Sequence, residues 1–348
     1  MKSLGLLGAV ARSNIGKLDR PYKLNYAVTY MCQSRCTHCS IWQLRPKGEL
    51  TLNEVAEFAR RNSYFSWVEL TGGEPFLRLD IVDIARAFAQ NCGGLYLLTM
   101  PTNSLCNYDM EMAKIEEIAK LGIPNVVITV SLDGYRELED GIRGVPGNYD
   151  RAIRLFKGIK ALRGRYPNLD CTLGYTIIKR NVGQLERTVT EVMRDVPDAT
   201  YSDFHVNLGQ ISDNYYGNAP KQEEISADHA LAVSDVQYLL GKARGGAGLN
   251  PAKMARGFLE TRYMEGLVQF LRSGSSPIAN RDGELSIFMD SYGNVYPSIM
   301  TSAKIGSIRE NGYDVPAMLK GYNAGARKES YYTACEIYQS ILGSILKR

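Results

Sequence analysis

Residues 23–39 read Lys23-Leu24-Asn25-Tyr26-Ala27-Val28-Thr29-Tyr30-Met31-Cys32-Gln33-Ser34-Arg35-Cys36-Thr37-His38-Cys39. The first part, to Tyr30, is rich in β-branched and aromatic residues and follows Pro21, so it predicts a strand. Three cysteines then stand at intervals of four and three on the loop just past that strand. Three thiolates from one short loop can close on one metal centre, because soft sulfur suits iron–sulfur clusters or zinc. A structural zinc site takes four protein ligands, and a [4Fe–4S] electron carrier takes four cysteines. Three leave one iron open to a substrate or cofactor. One rival reading is a zinc knuckle that adds His38, but His38 is the direct neighbour of Cys39 and poorly placed to reach the same ion. The other is three unrelated buried cysteines, which are common small core residues.

The rest of the chain sets the bounds. Its 348 residues allow two domains, or one barrel with an appendage, at about 150 residues per domain. Hydrophobic residues make up 45%, ordinary for a globular core. Basic residues number 41 against 37 acidic, and the net charge of +4 gives no argument for nucleic acid. Seven cysteines in a chain of this length do not make a disulfide framework, and Cys92, Cys106 and Cys171 read as buried neutral thiols. The apolar segment after Lys2 is too short for a signal peptide and predicts a short helix. No apolar run reaches the ~18 residues of a membrane span, and a cytoplasmic, reducing location is expected.

From residue 20 to about 210 strands and helices alternate. Strands are predicted over 23–30, 67–71, 95–99, 126–130, 173–178 and 204–206. Helices are predicted over 51–62 (with Thr51 as N-cap), 79–90, 108–121, 149–162 and 184–194. Strands apolar on both faces and joined by crossover helices imply a parallel sheet. Six units are fewer than the eight of a closed barrel, so the expectation is a partial (β/α)6 TIM-like barrel, with its functional residues on loops after the strands.

CxxxCxxC at Cys32, Cys36 and Cys39 resembles the radical S-adenosylmethionine (SAM) superfamily. The resemblance implies that one [4Fe–4S] cluster on these cysteines binds SAM at its free iron. It further implies reductive cleavage to a 5′-deoxyadenosyl radical that abstracts hydrogen from a substrate. Gly72-Gly73-Glu74-Pro75, after the second strand, resembles the superfamily's GGEP motif and implies contact with the SAM amino group. Thr102-Asn103-Ser104 resembles the turn near the SAM ribose, against the alternative of an ordinary turn. Ser131-Leu132-Asp133-Gly134, Asp140, Arg143-Gly144 and Gly147 resemble a block of the branch that carries a SPASM or twitch extension. It makes Ser131 a SAM contact and Arg143 a partner for a carboxylate; the alternative for Arg143 is a structural pair with Asp140. Asn181 reads as the N-cap of the following helix. His205 is a catalytic candidate, weighed against a satisfied structural histidine; with Asn207, Gln210 and the following Asp213-Asn214-Tyr215-Tyr216-Gly217 it is a candidate to line the substrate face, where the resemblance gives no roles.

Residues 212–275 read as a helical connector, with a helix at 230–240 and glycines at Gly241, Gly245, Gly246 and Gly248. From Leu285 to Pro297 alternating strands around Tyr292-Gly293-Asn294 predict a β-hairpin. It resembles the hairpin of SPASM and twitch domains, whose flanking cysteines bind auxiliary clusters. Here Ser298 and the region of Asn280 lack cysteine and only Cys335 remains, so the resemblance implies a degenerate α+β extension without a metal. The expected division is 1–19, an N-terminal segment; 20–211, the barrel; 212–275, the connector; and 276–348, the extension. Implied partners are a reductant such as flavodoxin or ferredoxin and a peptide or small-molecule substrate. The alternative is a non-catalytic, SAM- and cluster-binding regulatory protein descended from such enzymes.

Overall fold

The structure, a computed structural model, describes residues 2–243, 251–322 and 331–345, with the side chains of 2–4 and 251–253 left aside. Six strands follow the predicted order: β1 (Lys23–Thr29), β2 (Trp67–Gly72), β3 (Leu97–Thr102), β4 (Asn125–Ser131), β5 (Leu169–Ile177) and β6 (Phe204–Leu208). All five neighbouring pairs are parallel, in the order β6-β5-β4-β3-β2-β1. Crossover helices cover the outer face. Helix Leu52–Arg61 starts at Thr51 as expected, in a capping box with Glu54.

The burial pattern separates the two faces of the sheet. On β4, Val126, Ile128 and Val130 are buried while Asn125, Val127, Thr129 and Ser131 are half-buried. The first set packs into the main core with Ile115, Ile118 and Phe156 from the covering helices. The second set faces the barrel interior, where Thr129 and Thr172 of β5 share a hydrogen bond of 3.1 Å.

Three further strands follow, the first two within the predicted hairpin and the third beyond it. β7 (Ser286–Met289) pairs in parallel with β1, and β8 (Asn294–Tyr296) and β9 (Gly306–Ser307) follow antiparallel. The predicted hairpin therefore extends the barrel sheet into one nine-stranded sheet. Helix Pro251–Ser273 and helix Ala334–Leu342 reach the inner face. Glu260 meets His205, Tyr263 donates to Asn207, and Tyr338 stacks on Trp67 with ring centroids 6.4 Å apart. Helix His229–Ala243 is longer than predicted, and the glycine cluster at 245–248 lies outside the described residues.

Two local readings are corrected. Asn181 caps no helix: the next one is Leu185–Asp195, with Gln184 at its N-cap. Asn181 is buried, donates to Asp133 O and Thr176 O at 2.8 Å each and accepts from Ile178 N, so it knits two loops together. A short helix, Arg136–Arg143, also fills the stretch between Gly134 and Gly144, for which the sequence predicts no element.

Candidate functional site

The cysteine loop leaves β1 at the C-terminal edge of the sheet and is held by backbone on both sides. Arg35 N donates to Arg143 O at 2.9 Å and Thr37 N to Ile142 O at 2.9 Å. On the other flank Ser40 N donates to Tyr216 O at 2.9 Å, and Asn218 Nδ2 to His38 O at 2.7 Å. Gly144 carries the first contact. It has φ +65°, and a Cβ there would lie 2.8 Å from Arg35 O.

Cys32, Cys36 and Cys39 are all unpaired. Cys32 Sγ accepts from Asn103 Nδ2 at 3.6 Å, and Cys36 Sγ from Arg143 Nη1 at 3.6 Å, with Ser34 Oγ 3.0 Å away. Burial pushes the Cys32 thiol up to about 12, with Glu74 and Cys36 adding to it. Cys39 rises to about 12 for the same reason, with Cys36 and Cys32 adding. The raised values of Cys32 and Cys39 are what a cationic metal centre reverses, since it binds the thiolates. Among the described residues no three His, Cys, Asp or Glu side chains close on a single ion. Ligands of a cubane sit on different irons and need not converge on one point. Burial lowers His38 to about 4, so its imidazole is neutral.

The loop after β2 lies directly against the cysteine loop. Gly73 N donates to Thr29 O and Glu74 N to Met31 O, each at 2.8 Å. Gly72 has φ +134°, and a Cβ on it would stand 2.1 Å from Thr29 O. A Cβ on Gly73 would stand 2.3 Å from Met31 O and 3.0 Å from Cys32 Cβ. Both glycines are thus required by the approach of the cysteine loop itself. Glu74 is buried, its Oε1 accepting from Phe76 N at 3.1 Å and its Oε2 from Asn103 N at 2.7 Å. Burial and the nearby Glu111 push its carboxyl up to about 8. Pro75 opens the short 3-10 turn that follows.

Asn103 joins these elements: its Oδ1 accepts from Leu105 N and its backbone carbonyl from Asn148 Nδ2 at 2.9 Å. Ser131 ends β4, half-buried, opposite Gly174. Arg143 does not pair with Asp140. Its Nη2 lies 2.6 Å from Asp133 and its Nε 3.5 Å from Glu139, all three buried. Asp140 instead accepts from Gly147 N at 2.6 Å and Tyr149 N at 3.0 Å, at the start of helix Asn148–Leu162. His205 stands apart, near the start of β6, with Nδ1 3.2 Å from Glu260 and 3.0 Å from the Tyr338 hydroxyl. Burial works against its protonation, but Glu260 outweighs it and the pKa is raised.

The structure therefore gathers Cys32, Cys36, Cys39, Gly72, Gly73, Asn103 and Arg143, and leaves His205 outside. The sequence reading missed the place of Tyr215, whose hydroxyl lies 2.9 Å from Gly72 O and 3.1 Å from Gly72 N. Only the two adjacent tyrosines hinted at it. A cavity of about 490 Å³ opens beyond the Asn103 turn, lined by Ser104, Cys106, Tyr108, Arg151 and Arg154 among others. None of the three loop cysteines lines it.

Residues 26–192 match the family model described as the radical SAM superfamily. The chain carries a radical SAM domain. AdoMet-dependent heme synthase of Methanosarcina barkeri is 27% identical over 195 residues, covering 55% of this chain and 52% of that protein. GTP 3',8-cyclase of Haemophilus influenzae is 32% identical over 148 residues, covering 38% of this chain and 41% of that protein. The matched stretches thus span about half or less of these curated relatives. The solved structure of native anSMEcpe with bound AdoMet has a TM-score of 0.57 at 15% identity, covering 87% of this chain and 82% of that one. At that identity the likeness is one of fold, and it supports the partial TIM-like barrel. The radical SAM superfamily is one of enzymes that use a [4Fe–4S] cluster and SAM, the pair that the cysteine and glycine motifs imply.

Proposed function

We propose that this chain is a radical SAM enzyme acting on a peptide or small-molecule substrate, with Cys32, Cys36 and Cys39 holding one [4Fe–4S] cluster. The observation that carries the reading is the stitching of the cysteine loop to the Gly72–Gly73 loop. Two backbone hydrogen bonds of 2.8 Å bring the two motifs into one surface at the strand ends. Held by these residues, the cluster and SAM would supply one-electron radical chemistry directed at a substrate hydrogen.

The chain's own residues hold and shield. Asn103 and Arg143 donate to the Cys32 and Cys36 sulfurs and so hold those two side chains in place. Gly72 and Gly73 let this loop lie against the cysteine loop, beside Cys32, where the SAM amino group is expected. Glu74 acts indirectly, tying that loop to Asn103. Ser131 stands at the strand end where a SAM contact is expected. Arg143, held by Asp133 and Glu139, serves the cluster side more than a ligand carboxylate. His205 is retained only as an interior residue bound to Glu260. The domain division at 211/212 and 275/276, a degenerate extension without an auxiliary cluster, a flavodoxin- or ferredoxin-type reductant and a cytoplasmic setting belong to the same proposal. No helix among the described residues is long and apolar enough to cross a membrane.

The test is anaerobic reconstitution followed by reduction with dithionite in the presence of SAM. The expected product is 5′-deoxyadenosine. A protein with its full iron complement that forms none would favour the regulatory, non-catalytic alternative.

A further inference from the structure

Tyr215 lies after β6, far from the GGEP motif in sequence, yet its hydroxyl takes both backbone groups of Gly72. It donates to Gly72 O at 2.9 Å and accepts from Gly72 N at 3.1 Å, with Thr71 Oγ1 also at 3.1 Å. The need for such a partner follows from the sheet. β2 pairs with β3 only from Trp67 to Glu69, so the far end of β2 has no strand on that side. One phenol there replaces a strand for Gly72, since a hydroxyl both donates and accepts. The ring is itself fixed: it is buried, edge-on to Phe288 at 5.2 Å and tilted against Tyr30 at 6.3 Å. Its backbone is fixed too. Ser212 Oγ donates to Ile299 O at 2.6 Å and accepts from Tyr215 N at 3.1 Å, anchoring the segment to the C-terminal part of the chain. Asn218 and Tyr216 bind the other flank of the cysteine loop.

We propose that Tyr215 is a positioning residue for the amino-acid end of SAM, acting through the Gly72 peptide. This deepens the proposed function and rests on it. The phenol sets the plane of the Gly72–Gly73 peptide, and that plane sets the backbone groups presented beside Cys32. It also makes cofactor binding depend on the C-terminal residues that hold the 212–218 segment.

The experiment compares the reconstituted full chain with Tyr215→Phe, which keeps the ring packing and removes the hydroxyl. Iron per chain, melting temperature and the dissociation constants of SAM and of 5′-methylthioadenosine, which lacks the amino and carboxylate groups, are measured for both. SAM binding should weaken about tenfold, the worth of one buried hydrogen bond. Iron content and the affinity for 5′-methylthioadenosine should stay at the wild-type values. The concentration of SAM that perturbs the electron paramagnetic resonance signal of the reduced cluster should rise by the same factor. Equal SAM affinity in the two proteins overturns the assignment. So does an equal loss for both ligands, or a loss of iron, since either would make Tyr215 a general support. A wild-type protein with full iron that binds no SAM overturns the proposed function as well, and it does so without reference to the variant.

Discussion

At Gly73 a single added carbon decides between two accounts of the same motif. If the glycine only made room for SAM, Gly73→Val would spare the cluster and weaken SAM binding, which is the expectation from sequence alone. The Cβ position 2.3 Å from Met31 O and 3.0 Å from Cys32 Cβ corrects that expectation. The substitution must push the cysteine loop off its pairing with Gly73, at a cost of about 1–3 kcal/mol or more for forced overpacking. Iron retained after reconstitution should fall well below wild type; wild-type iron with weakened SAM binding would restore the simpler account. A second residue-scale prediction concerns the buried carboxyls Asp282 and Glu336. Glu336 Oε1 accepts from Ser298 Oγ and from Ile299 N at 2.8 Å, while Asp282 accepts from the Tyr331 hydroxyl at 2.8 Å. Burial pushes Glu336 up from 4.5 to about 7, and burial and Glu336 push Asp282 up as well. A carboxyl with a raised folded pKa binds its proton better in the fold than in the unfolded chain. Its contribution to stability is therefore present at low pH and is lost as pH rises from about 4.5 through about 7. Glu336→Gln removes that titration, so its melting temperature should fall less than that of the wild type between about pH 5 and pH 8. An equal fall in both would remove Glu336 from the account.

At the scale of elements, what could be read in advance was what is local. Val126-Val127-Ile128-Thr129-Val130 carries its strand in its own β-branched side chains, and Thr51 with Glu54 carries its helix start. The spacing of Cys32, Cys36 and Cys39 and the glycines at 72 and 73 are equally local, so the two motifs of the site were readable. Contacts between distant segments were not. Nothing in Ser286-Ile287-Phe288-Met289 announces a parallel pairing with β1, because a short apolar run serves either side of a sheet. Arg143 has acidic residues at several helical spacings, and only the fold selects Asp133 and Glu139 over Asp140. Tyr215 is in the same position, since its partner is a backbone group more than a hundred residues earlier. The edge formed by Ile142, Arg143 and Gly144 gives a test at this scale, because it carries two of the backbone bonds that hold the cysteine loop, those on one flank. Gly144→Ala forces φ +65° on a residue with a Cβ and sets that Cβ 2.8 Å from Arg35 O. A left-handed non-glycine residue costs about 1–2 kcal/mol before the contact is counted. The variant should melt earlier and lose iron to a chelator faster than wild type, and unchanged rates would show that this edge does not hold the loop.

Across the whole molecule, the C-terminal residues add to the barrel in two ways. They close the sheet beyond β1 through β7, and they fill the barrel interior through helix Ala334–Leu342. Where auxiliary-cluster cysteines would be expected by resemblance, the contacts are between oxygen and nitrogen. Ser298 donates to Glu336, and Asn280 donates to the Tyr331 hydroxyl at 3.1 Å and to Asp282. Cys335 is the one thiol among these positions, and it points elsewhere, with Sγ 3.6 Å from Glu69 Oε1 of β2. Cys92 and Cys171 are fully buried and Cys106 nearly so, and burial pushes all three up to about 12, as expected of neutral core thiols. A cubane needs about four protein thiolates, or three and one other ligand. Only the loop after β1 supplies three. The reconstituted chain should therefore hold about four irons, and changing Cys32, Cys36 and Cys39 together to Ala should remove all of the cluster absorbance. The same triple variant should keep its fold, because those thiols pack at the rim of the sheet and not in its main core. A folded triple variant that still carries a chromophoric cluster would require ligands from the C-terminal part, and would return an auxiliary cluster to a region that this structure fills with carboxyls and hydroxyls.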